Sequence, residues 1–394
     1  MSARTLDATV LIATYNRARL LGETLEWLAR MRVSATLTWE VIVIDNNSRD
    51  GTRHVVEQRQ PAFPVPLTYL FEARQGRSSA LNAGIAAACG RVLVFTDDDV
   101  RVQDGWLDAA CAPLAATATE QHSSTRVSER ATEQHGSTRV SARATEQHGS
   151  TRVSERAPEQ QGSTVGYTGG PVRPIWEVPP PRWLDLRRGD LWGTIAIQDH
   201  GTGVLSYEAA RKVPLGANMA VRAEVFDLVG GFRADLGRAG GRVVMGQEVP
   251  EWLLRARAAG FTGLYVPAME VHHHVPSARL THRYFRKWWF GKGVSRAALD
   301  RMQPVTELGL DLRQVPHLLG VPRFMFGTLG RDLFGLAAAV AAGRPADAFR
   351  HQMMLWFFAG YATARLRPRN NTVQHGCRVP STVADGTGST APSG

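Results

Sequence analysis

Short apolar stretches alternate with amphipathic stretches through the first hundred residues of the chain. Four stretches of strand length are apolar and rich in β-branched residues, namely 8–13, 40–44, 66–71 and 91–95. Three stretches with helical character separate them, namely 19–31, 52–60 and 78–88. Continuous apolar strands joined by helices are typical of a parallel sheet that is covered on both faces. The pattern therefore predicts an α/β fold.

Polar residues follow three of these predicted strands at the point where each strand ends. They are Thr14-Tyr15-Asn16, Asp45-Asn46-Asn47 and Asp97-Asp98-Asp99. Ligands of parallel sheets bind beyond the carboxyl ends of the strands, so three polar segments at one edge indicate a site there. A lone Asp45 or Tyr15 is more often a capping or packing residue, and the site is inferred from the three segments together.

The three adjacent carboxylates are the strongest chemical signal in the sequence. They repel one another unless a cation or solvent relieves them, and Mg²⁺ and Mn²⁺ prefer carboxylate, phosphate and water oxygens. Alternate residues at a strand end face the same side, so we expect Asp97 and Asp99 to point together. The sequence thus predicts a divalent cation at this edge, and the alternative is a solvated acidic turn.

Residues 118–156 consist of three nearly identical units of thirteen residues, followed by a partial copy. Ser, Thr, Gln and balanced Arg and Glu dominate each unit, which has too few apolar positions to stack as a solenoid. We predict that residues 118–163 form a disordered insertion without chemistry of its own. Beyond the insertion, strands are predicted at 165–172 and 263–266, and helices at 222–229 and 251–259.

The net charge of +10 is concentrated near the end of the chain. Residues 279–369 contain 15 Lys and Arg against 5 Asp and Glu, so the remainder is balanced. Aromatic residues lie among these cations, namely Tyr284, Phe285, Trp288, Trp289 and Phe290. This mixture suits a lipid interface, single-stranded nucleic acid, or a basic helix packed on the main domain by its aromatics. The apolar runs 333–343 and 353–362 fall short of the roughly 20 residues that cross a bilayer, so we expect peripheral contact rather than a span.

The sequence divides into a main domain at 1–282, a basic aromatic helical region at 283–366 and a disordered tail at 367–394. The three cysteines are too few and too far apart for a disulfide framework or a four-cysteine zinc site. The first residues lack a charged start followed by an apolar stretch, which argues against a secretory signal and for the cytoplasm. The glycine fingerprints of dinucleotide folds and of P-loops are absent, which disfavours hydride transfer and P-loop hydrolysis.

Seven segments, in this order, resemble the family 2 glycosyltransferases, which are inverting enzymes of the GT-A fold. They are VLIATYNR (10–17), VIVIDNNSRDGT (41–52), GRSSALNAGI (76–85), VLVFTDDDV (92–100), GANMAVRAEVFDLVGGF (216–232), GQEVPEWLLRARAAGFTGLYVP (246–267) and VHHHVPSARLTHRYF (271–285). Each segment alone is a weak signal, but their shared order over residues 8–285 is specific. The resemblance implies a Rossmann-like, mostly parallel central sheet with helices on both faces, followed by a C-terminal helical region.

The resemblance also implies which residues bind the donor. Ala13 and Tyr15 would hold the nucleobase by backbone contact and stacking, and Asp45 would hydrogen-bond it. Further donor contacts would come from Arg77, Asp97 and Asp98.

The metal ligands follow from the same resemblance. Asp97 and Asp99 match the D-x-D pair of the family, which serves the ribose, the diphosphate and a divalent metal. A histidine after the late strand often completes the metal shell, and the alignment favours His273, with His272 as the rival.

The catalytic base lies where the sequence departs from the family pattern. Family members usually carry Glu-Asp before this helix, whereas here the ungapped alignment gives Glu248 and Val249. Glu248 is therefore the predicted base, and Glu251 is the second choice, for deprotonating an acceptor hydroxyl before in-line attack. Ala13 also replaces the usual proline, which should be harmless if only its backbone is used.

These features predict a metal-dependent inverting glycosyltransferase. We expect Mg²⁺ or Mn²⁺ as cofactor and a nucleotide-diphosphate sugar as donor, with a UDP-sugar as the first candidate. The acceptor is expected to be a glycan or a lipid-linked sugar in polysaccharide or glycoconjugate synthesis, at the inner face of the cell membrane. Residues 283–366 could contact an anionic membrane surface, and nucleic acid is not expected as a partner. The alternative is a catalytically degenerate nucleotide-sugar-binding protein of the same fold, because Val249 occupies an acidic position.

Overall fold

The computed structural model describes residues 4–115, 164–187, 189–236, 246–306 and 310–366. The predicted insertion at 118–163 and the predicted tail at 367–394 lie outside these described residues, so both remain predictions.

Alternating strands and helices build the first half of the chain. They are β1 (Leu6–Thr14), α1 (Ala18–Arg30), β2 (Trp39–Asp45), α2 (Thr52–Arg59), β3 (Leu67–Phe71), α3 (Arg77–Ala87) and β4 (Gly90–Asp97). Each predicted element of this half is present, with ends that differ by at most two residues. β1 pairs in parallel with both β2 and β4, so Thr14 lies beside Asp45 and Ala13 beside Asp97. The three polar segments therefore meet at one edge of the sheet, as predicted.

The second half completes the large sheet with strands that run in both directions. Its elements are β5 (Val100–Val102), α4 (Trp106–Ala115), β6 (Thr164–Gly169), β7 (Val172–Trp176), β8 (Leu205–Ser206), β9 (Asn218–Arg222), α5 (Ala223–Val229), α6 (Glu248–Ala258), β10 (Phe261–Tyr265) and β11 (Val271–Val275). The eight strands follow the order β3-β2-β1-β4-β9-β6-β10-β8, and β9 is antiparallel to both neighbours. A smaller sheet of order β5-β11-β7 lies beside it.

The single strand predicted at 165–172 is wrong, because the chain is divided there between β6 and β7. Gly170 and Pro171 separate the two strands. Pro171 has no N–H with which to continue a strand ladder. A Cβ on Gly170 would lie 1.9 Å from the carbonyl oxygen of Met269, so the turn needs a glycine there.

Two apolar clusters cover the large sheet on its opposite faces. Val10 and Ile12 of β1 pack with the leucines of α1 and with Trp106 of α4. Leu11, which points the other way, packs with residues of α3, α5 and α6. The predicted α/β architecture with helices on both faces is therefore confirmed.

Three helices follow the sheets, namely α7 (His282–Met302), α8 (Arg323–Ala341) and α9 (Pro345–Leu366), with a short hairpin of β12 (His317–Leu318) and β13 (Val321–Pro322) before α8. Phe285, Trp288 and Trp289 of α7 are buried in one cluster with Leu184 and Ile195 of the main domain. These aromatics are packing residues, so the two interpretations that gave them to lipid or to nucleic acid are wrong for these side chains.

Among the described residues, α8 is the one helix with the length and composition to cross a membrane. The uninterrupted apolar run 333–343 is only part of this helix, because α8 begins well before residue 333 and includes Arg331 and Asp332. Length and composition alone are weak evidence for a span, since the core helix of a soluble protein passes the same test. A core helix is mostly buried, whereas only 11% of the apolar window in α8 is buried, so α8 is not a core helix.

Candidate active site

A cleft of about 360 Å³ opens at the carboxyl ends of β1 and β4, beside the start of α3. Its charged lining consists of three carboxylates and three guanidinium groups, those of Asp97, Asp98, Asp99, Arg17, Arg77 and Arg279. Ala13, Tyr15 and Asn46 also line it. Strand ends position this cleft, because each parallel strand places its last residue at the same edge of the sheet.

Asp97, Asp99 and His273 lie close enough to share one ion. Each offers a ligand atom, and the three atoms all lie within 4.8 Å of one another. The strand β11 alternates buried and half-buried residues, which turns His273 inward. His272 instead contacts Glu270, with 2.8 Å between Nε2 and Oε1. The structure thus brings together the three residues that the resemblance assigned to the metal.

The residues of this cluster fit a divalent cation. Oδ1 of Asp99 is buried, has no hydrogen-bond partner among the described residues, and lies 3.3 Å from Nε2 of His273. A buried carboxylate oxygen without a donor is costly unless something binds it. Burial lowers the pKa of His273, which favours the neutral imidazole that binds metals. Two carboxylates and an imidazole suit Mn²⁺ better than Mg²⁺, which prefers oxygen ligands alone.

Asp98 has different surroundings from its two neighbours. Its Oδ2 accepts a hydrogen bond from Oγ1 of Thr14 at 2.7 Å, and its Oδ1 accepts one from Nη1 of Arg17 at 3.0 Å. Burial raises the pKa of Asp98 to about 6, and the nearby charge of Arg17 opposes that shift. Asp98 therefore joins the end of β4 to the end of β1, while its contact with the donor stays a prediction.

Two arginines to which the sequence analysis gave no role lie against the carboxylates. Nη1 of Arg17 also donates to Oδ2 of Asp99 at 2.6 Å. Nη1 of Arg279 lies 3.2 Å from Nε2 of His273, and its Nη2 lies 3.8 Å from Oδ2 of Asp99. A signal for both was present in the sequence, because three adjacent buried carboxylates need cationic partners. Arg17 ends the first motif segment, and Arg279 lies in the segment that carries the histidines.

The residues predicted to hold the nucleobase occupy unlike environments. The side chain of Tyr15 is 48% exposed at the rim of the cleft, where its ring is accessible for stacking. Asp45 is buried, and its two oxygens accept hydrogen bonds from the backbone N–H of Ser48 and from the hydroxyl of Tyr69, each at 2.8 Å. The bond from Ser48 caps the turn after β2 and the bond from Tyr69 joins Asp45 to β3, while the contact of Asp45 with a base stays a prediction.

Arg77 connects the acidic cluster to the first residue of α6. Its Nη2 donates to Oδ1 of Asp97 at 2.7 Å and to the carbonyl of Gly216 at 3.0 Å. Its Nη1 lies 3.7 Å from Oε1 of Glu248. Glu248 is buried at the N-terminal end of α6, and its Oε2 has no hydrogen-bond partner among the residues described. This oxygen remains available to accept a proton or a hydrogen bond.

Glu251 forms a bidentate ion pair with Arg255, and this arginine links α6 to the end of α5. Nε and Nη2 of Arg255 each donate to a different oxygen of Glu251, both at 2.9 Å. The same guanidinium donates to the carbonyl oxygens of Val229, the last residue of α5, and of Gly231 just beyond it. Val249, at the second acidic position of the family, packs in the apolar cluster of α5 and α6, where a carboxylate would be costly.

Known proteins resemble the chain in sequence. The Glycosyl transferase family 2 model matches residues 9–163. The succinoglycan biosynthesis protein ExoM of Rhizobium meliloti is 27% identical over 300 residues, which cover 76% of this chain and 77% of that protein. Validoxylamine A glucosyltransferase of Streptomyces hygroscopicus is 34% identical over 110 residues, which cover 28% of this chain and 26% of that one.

A solved structure also resembles the chain along most of its length. It is the mannosyltransferase PcManGT of Pyrobaculum calidifontis, in complex with GDP-Man and Mn²⁺. The match covers 92% of this chain and 89% of that one, with a TM-score of 0.54 and 19% identity. At this identity the likeness concerns the fold.

Proposed function

The chain belongs to the family 2 glycosyltransferases, and on that premise we propose that it transfers a sugar from a nucleotide-diphosphate sugar to an acceptor hydroxyl, with inversion at the anomeric carbon. One observation carries the proposal: ligand atoms of Asp97, Asp99 and His273 lie within 4.8 Å of one another at the wall of the cleft, and Arg77 connects this cluster to Glu248. The groups proposed to bind the donor and to act as the base thereby lie near one another.

The donor diphosphate is proposed to bind beside Asp97, Asp99 and His273. A divalent cation held by these three residues would supply Lewis-acid stabilisation to the departing nucleoside diphosphate. Arg17 and Arg279, which line the same cleft, present fixed positive charge to phosphate oxygens. The Mn²⁺ and GDP-Man of the solved mannosyltransferase support this assignment, and the His273 ligand favours Mn²⁺ over Mg²⁺.

Glu248 is the proposed base. Its buried Oε2 has no donor among the described groups, so it can accept the proton of an acceptor hydroxyl as that oxygen attacks the anomeric carbon. Arg77 lies between Glu248 and Asp97 and contacts both, which fixes the base relative to the donor side of the cleft. Glu251 is the weaker candidate because Arg255 already occupies both of its oxygens.

We also propose a setting in polysaccharide or glycoconjugate synthesis, with a lipid-linked or glycan acceptor at the inner face of the cell membrane. The likeness to a succinoglycan biosynthesis protein supports the first part. The surplus of basic residues over 279–369 supports the second, because the cytoplasmic leaflet carries negative charge.

The direct test is donor hydrolysis without acceptor. The purified full chain is incubated with UDP-, GDP- and dTDP-sugars and Mn²⁺ or Mg²⁺, and the released nucleoside diphosphate is measured. We expect slow release from one donor, faster with Mn²⁺, and none after chelation. Proton NMR of the sugar transferred to an acceptor then gives the anomeric configuration, which should be opposite to that of the donor. No metal-dependent binding or release with every donor would reject the proposal.

The second candidate function is nucleotide-sugar binding without transfer, and the observation in its favour is Val249. That residue is part of the apolar core where the family carries an acid. Tight metal-dependent donor binding, together with neither hydrolysis nor transfer to any acceptor, would support this alternative.

A further inference from the structure

An exposed apolar stripe runs along α8, outside the site described above. Exposed residues recur every three or four positions, so they share one face of the helix: Phe324, Gly327, Gly330, Arg331, Phe334, Ala337 and Ala341. Leu333 and Val340 border the stripe. The side chains of Leu333, Phe334 and Val340 are 52%, 78% and 65% exposed. Scattered exposed apolar residues need no explanation, but a contiguous stripe marks a surface that something covers.

The hairpin that precedes α8 carries further exposed apolar side chains. Leu318 and Leu319 form its tip and are 54% and 70% exposed. Leu319 has a φ of 52°, in the left-handed region that a leucine adopts only under strain. A glycine would fit there without strain, so folding alone does not account for a leucine at this exposed tip.

The exposed charged side chains of α8 itself, those of Arg323 and Arg331, are both positive. Arg344, just after α8, is exposed but pairs with Asp347 at 3.4 Å, so it adds no net charge. The one acidic residue of α8, Asp332, is buried and lies 2.8 Å from Nδ1 of His351 on α9. The outward face of α8 therefore combines apolar groups with cations and carries no carboxylate. That combination is complementary to an anionic lipid surface.

We propose that α8 and the hairpin tip form a membrane-docking surface on which α8 lies in the plane of an anionic bilayer. This inference gives a physical basis to the membrane setting of the proposed function, but it does not depend on the catalytic assignments.

The surroundings of α8 argue against a helix that crosses the bilayer. Its C-terminal end is next to the main domain, because Val340 and Arg344 line one groove with Trp183. Arg350, in the second turn of α9, donates to Asp190 at 2.6 Å. A crossing α8 would take this ion pair and part of the main domain into the hydrocarbon, where charged groups are costly.

The N-terminal end of α8 leads to the same conclusion. Phe324 lines a cavity of about 280 Å³ together with Arg296 and Asp300 of α7. Arg296 and Asp300 form an ion pair of 2.7 Å. Charged side chains thus lie near both ends of α8. A helix in the plane of the bilayer leaves all of these charges on the aqueous side.

Vesicle flotation tests the surface. The full chain is mixed with phosphatidylcholine vesicles that contain or lack phosphatidylglycerol, and the floated fraction is measured. We expect flotation with the anionic vesicles and at least about a tenfold weaker partition for Phe334→Glu. Leu319→Gly should weaken the partition several-fold without lowering Tm, since glycine relaxes the strained tip. Leu228→Glu is the matched control, because Leu228 is 67% exposed on α5, and it should float like the original chain.

The orientation of α8 is tested by labelling from outside. Gln314→Cys and Ala342→Cys place an exposed thiol before the hairpin tip and after α8, in a chain whose Cys89 and Cys377 are replaced by Ser. On sealed vesicles, an impermeant maleimide should label both positions to the same extent. Protection of one position would show that α8 crosses the bilayer and would overturn the in-plane arrangement.

Other outcomes are also decisive. Equal flotation of Phe334→Glu and the original chain, or no flotation at all, would refute the surface. A dimer that Phe334→Glu dissociates, without any vesicle binding, would assign the stripe to a second copy instead. Donor binding with Mn²⁺ is measured on the same preparations, so that a failure of the docking surface is separated from a failure of the proposed activity.

Discussion

Arg279 and His273 contact each other directly, with 3.2 Å between Nη1 of the guanidinium and Nε2 of the imidazole. The second guanidinium nitrogen of Arg279 lies 3.8 Å from Oδ2 of Asp99. A permanent positive charge therefore lies against two of the three residues proposed to hold a cation. This charge repels a metal ion and attracts a diphosphate, so it has opposite effects on the binding of the metal and of the donor.

Arg279→Gln should consequently change the two affinities in opposite directions. We expect Mn²⁺ alone to bind at least about threefold more tightly, and the nucleoside diphosphate of the donor to bind about tenfold more weakly. Titration calorimetry, with electron paramagnetic resonance for free Mn²⁺, measures both. Lys287→Gln is the control, since it removes the same charge from an exposed position of α7. If both affinities fell together, Arg279 would be a structural residue and not a charge that tunes the site.

Asp98 and Asp99 are adjacent in the chain, but we expect their replacement to have different effects. Asp99→Asn should abolish Mn²⁺-dependent donor binding with little change in Tm. Asp98→Ala should lower the free energy of unfolding by about 1–3 kcal/mol, because it leaves the hydroxyl of Thr14 without its buried acceptor and removes one of the two carboxylates to which Arg17 donates. Thermal unfolding and Mn²⁺ titration separate the two effects.

Thr14→Val is the matched control for Asp98. It removes the same hydrogen bond from the other partner and should cost about 1 kcal/mol while leaving the carboxylates in place. Unchanged metal binding in Asp99→Asn would reject the metal role of Asp99. Loss of metal binding in Thr14→Val would show that the metal site also depends on the hydrogen bond between Thr14 and Asp98.

The two candidate bases can be distinguished in the same manner. Glu248→Gln should leave Tm and donor binding nearly unchanged and lower kcat by about 10²–10⁴-fold, as expected when a positioned base is removed. Glu251→Gln should instead destabilise the fold by about 1–3 kcal/mol. It removes the ion pair that holds Arg255 in place, and Arg255 links α6 to the end of α5. Steady-state kinetics with the identified donor and acceptor, beside thermal unfolding, are the measurements. A large kcat loss in Glu251→Gln at full stability would reverse the assignment.

The sequence pattern predicted the parallel half of the sheet closely because its signals are local. Apolar runs, helical periodicity and polar residues at strand ends depend on neighbours along the chain, and they located Asp97 and Asp99. His273 needed the family resemblance, since three consecutive histidines do not show which one turns inward. The alternation of β11 decides that, through its pairing with β5 and β7.

Other features depend on contacts between distant segments, which a pattern does not report. Arg17 and Arg279 reach the carboxylates through long side chains from separate elements, so their partners are visible only in three dimensions. The direction of β9 follows from its pairing with β4 and β6 and not from its composition. The aromatics of α7 are compatible, by sequence, with lipid, nucleic acid or a protein core. Their burial against Leu184, about a hundred residues earlier in the chain, selects the core.

The docking of α9 on α7 depends on two glycines at their closest approach. A Cβ on Gly293 of α7 would lie 2.1 Å from the carbonyl oxygen of Phe357, and a Cβ on Gly360 of α9 would lie 2.0 Å from that of Phe290. Backbone atoms cannot move aside as a flexible side chain can, so either substitution must push the helices apart. We expect Gly293→Ala and Gly360→Ala each to destabilise the helical region by about 1–3 kcal/mol.

Differential scanning calorimetry checks this prediction, and Gly330→Ala provides its control. Gly330 is also a helical glycine, but a Cβ added there would meet no neighbouring group of the described residues within 4 Å. Alanine there should raise stability by up to about 1 kcal/mol through helix propensity alone. Because α8 packs on α9, loosening the α7–α9 contact should also weaken vesicle flotation. Equal stability of all three variants would mean that α7 and α9 do not approach each other through these glycines.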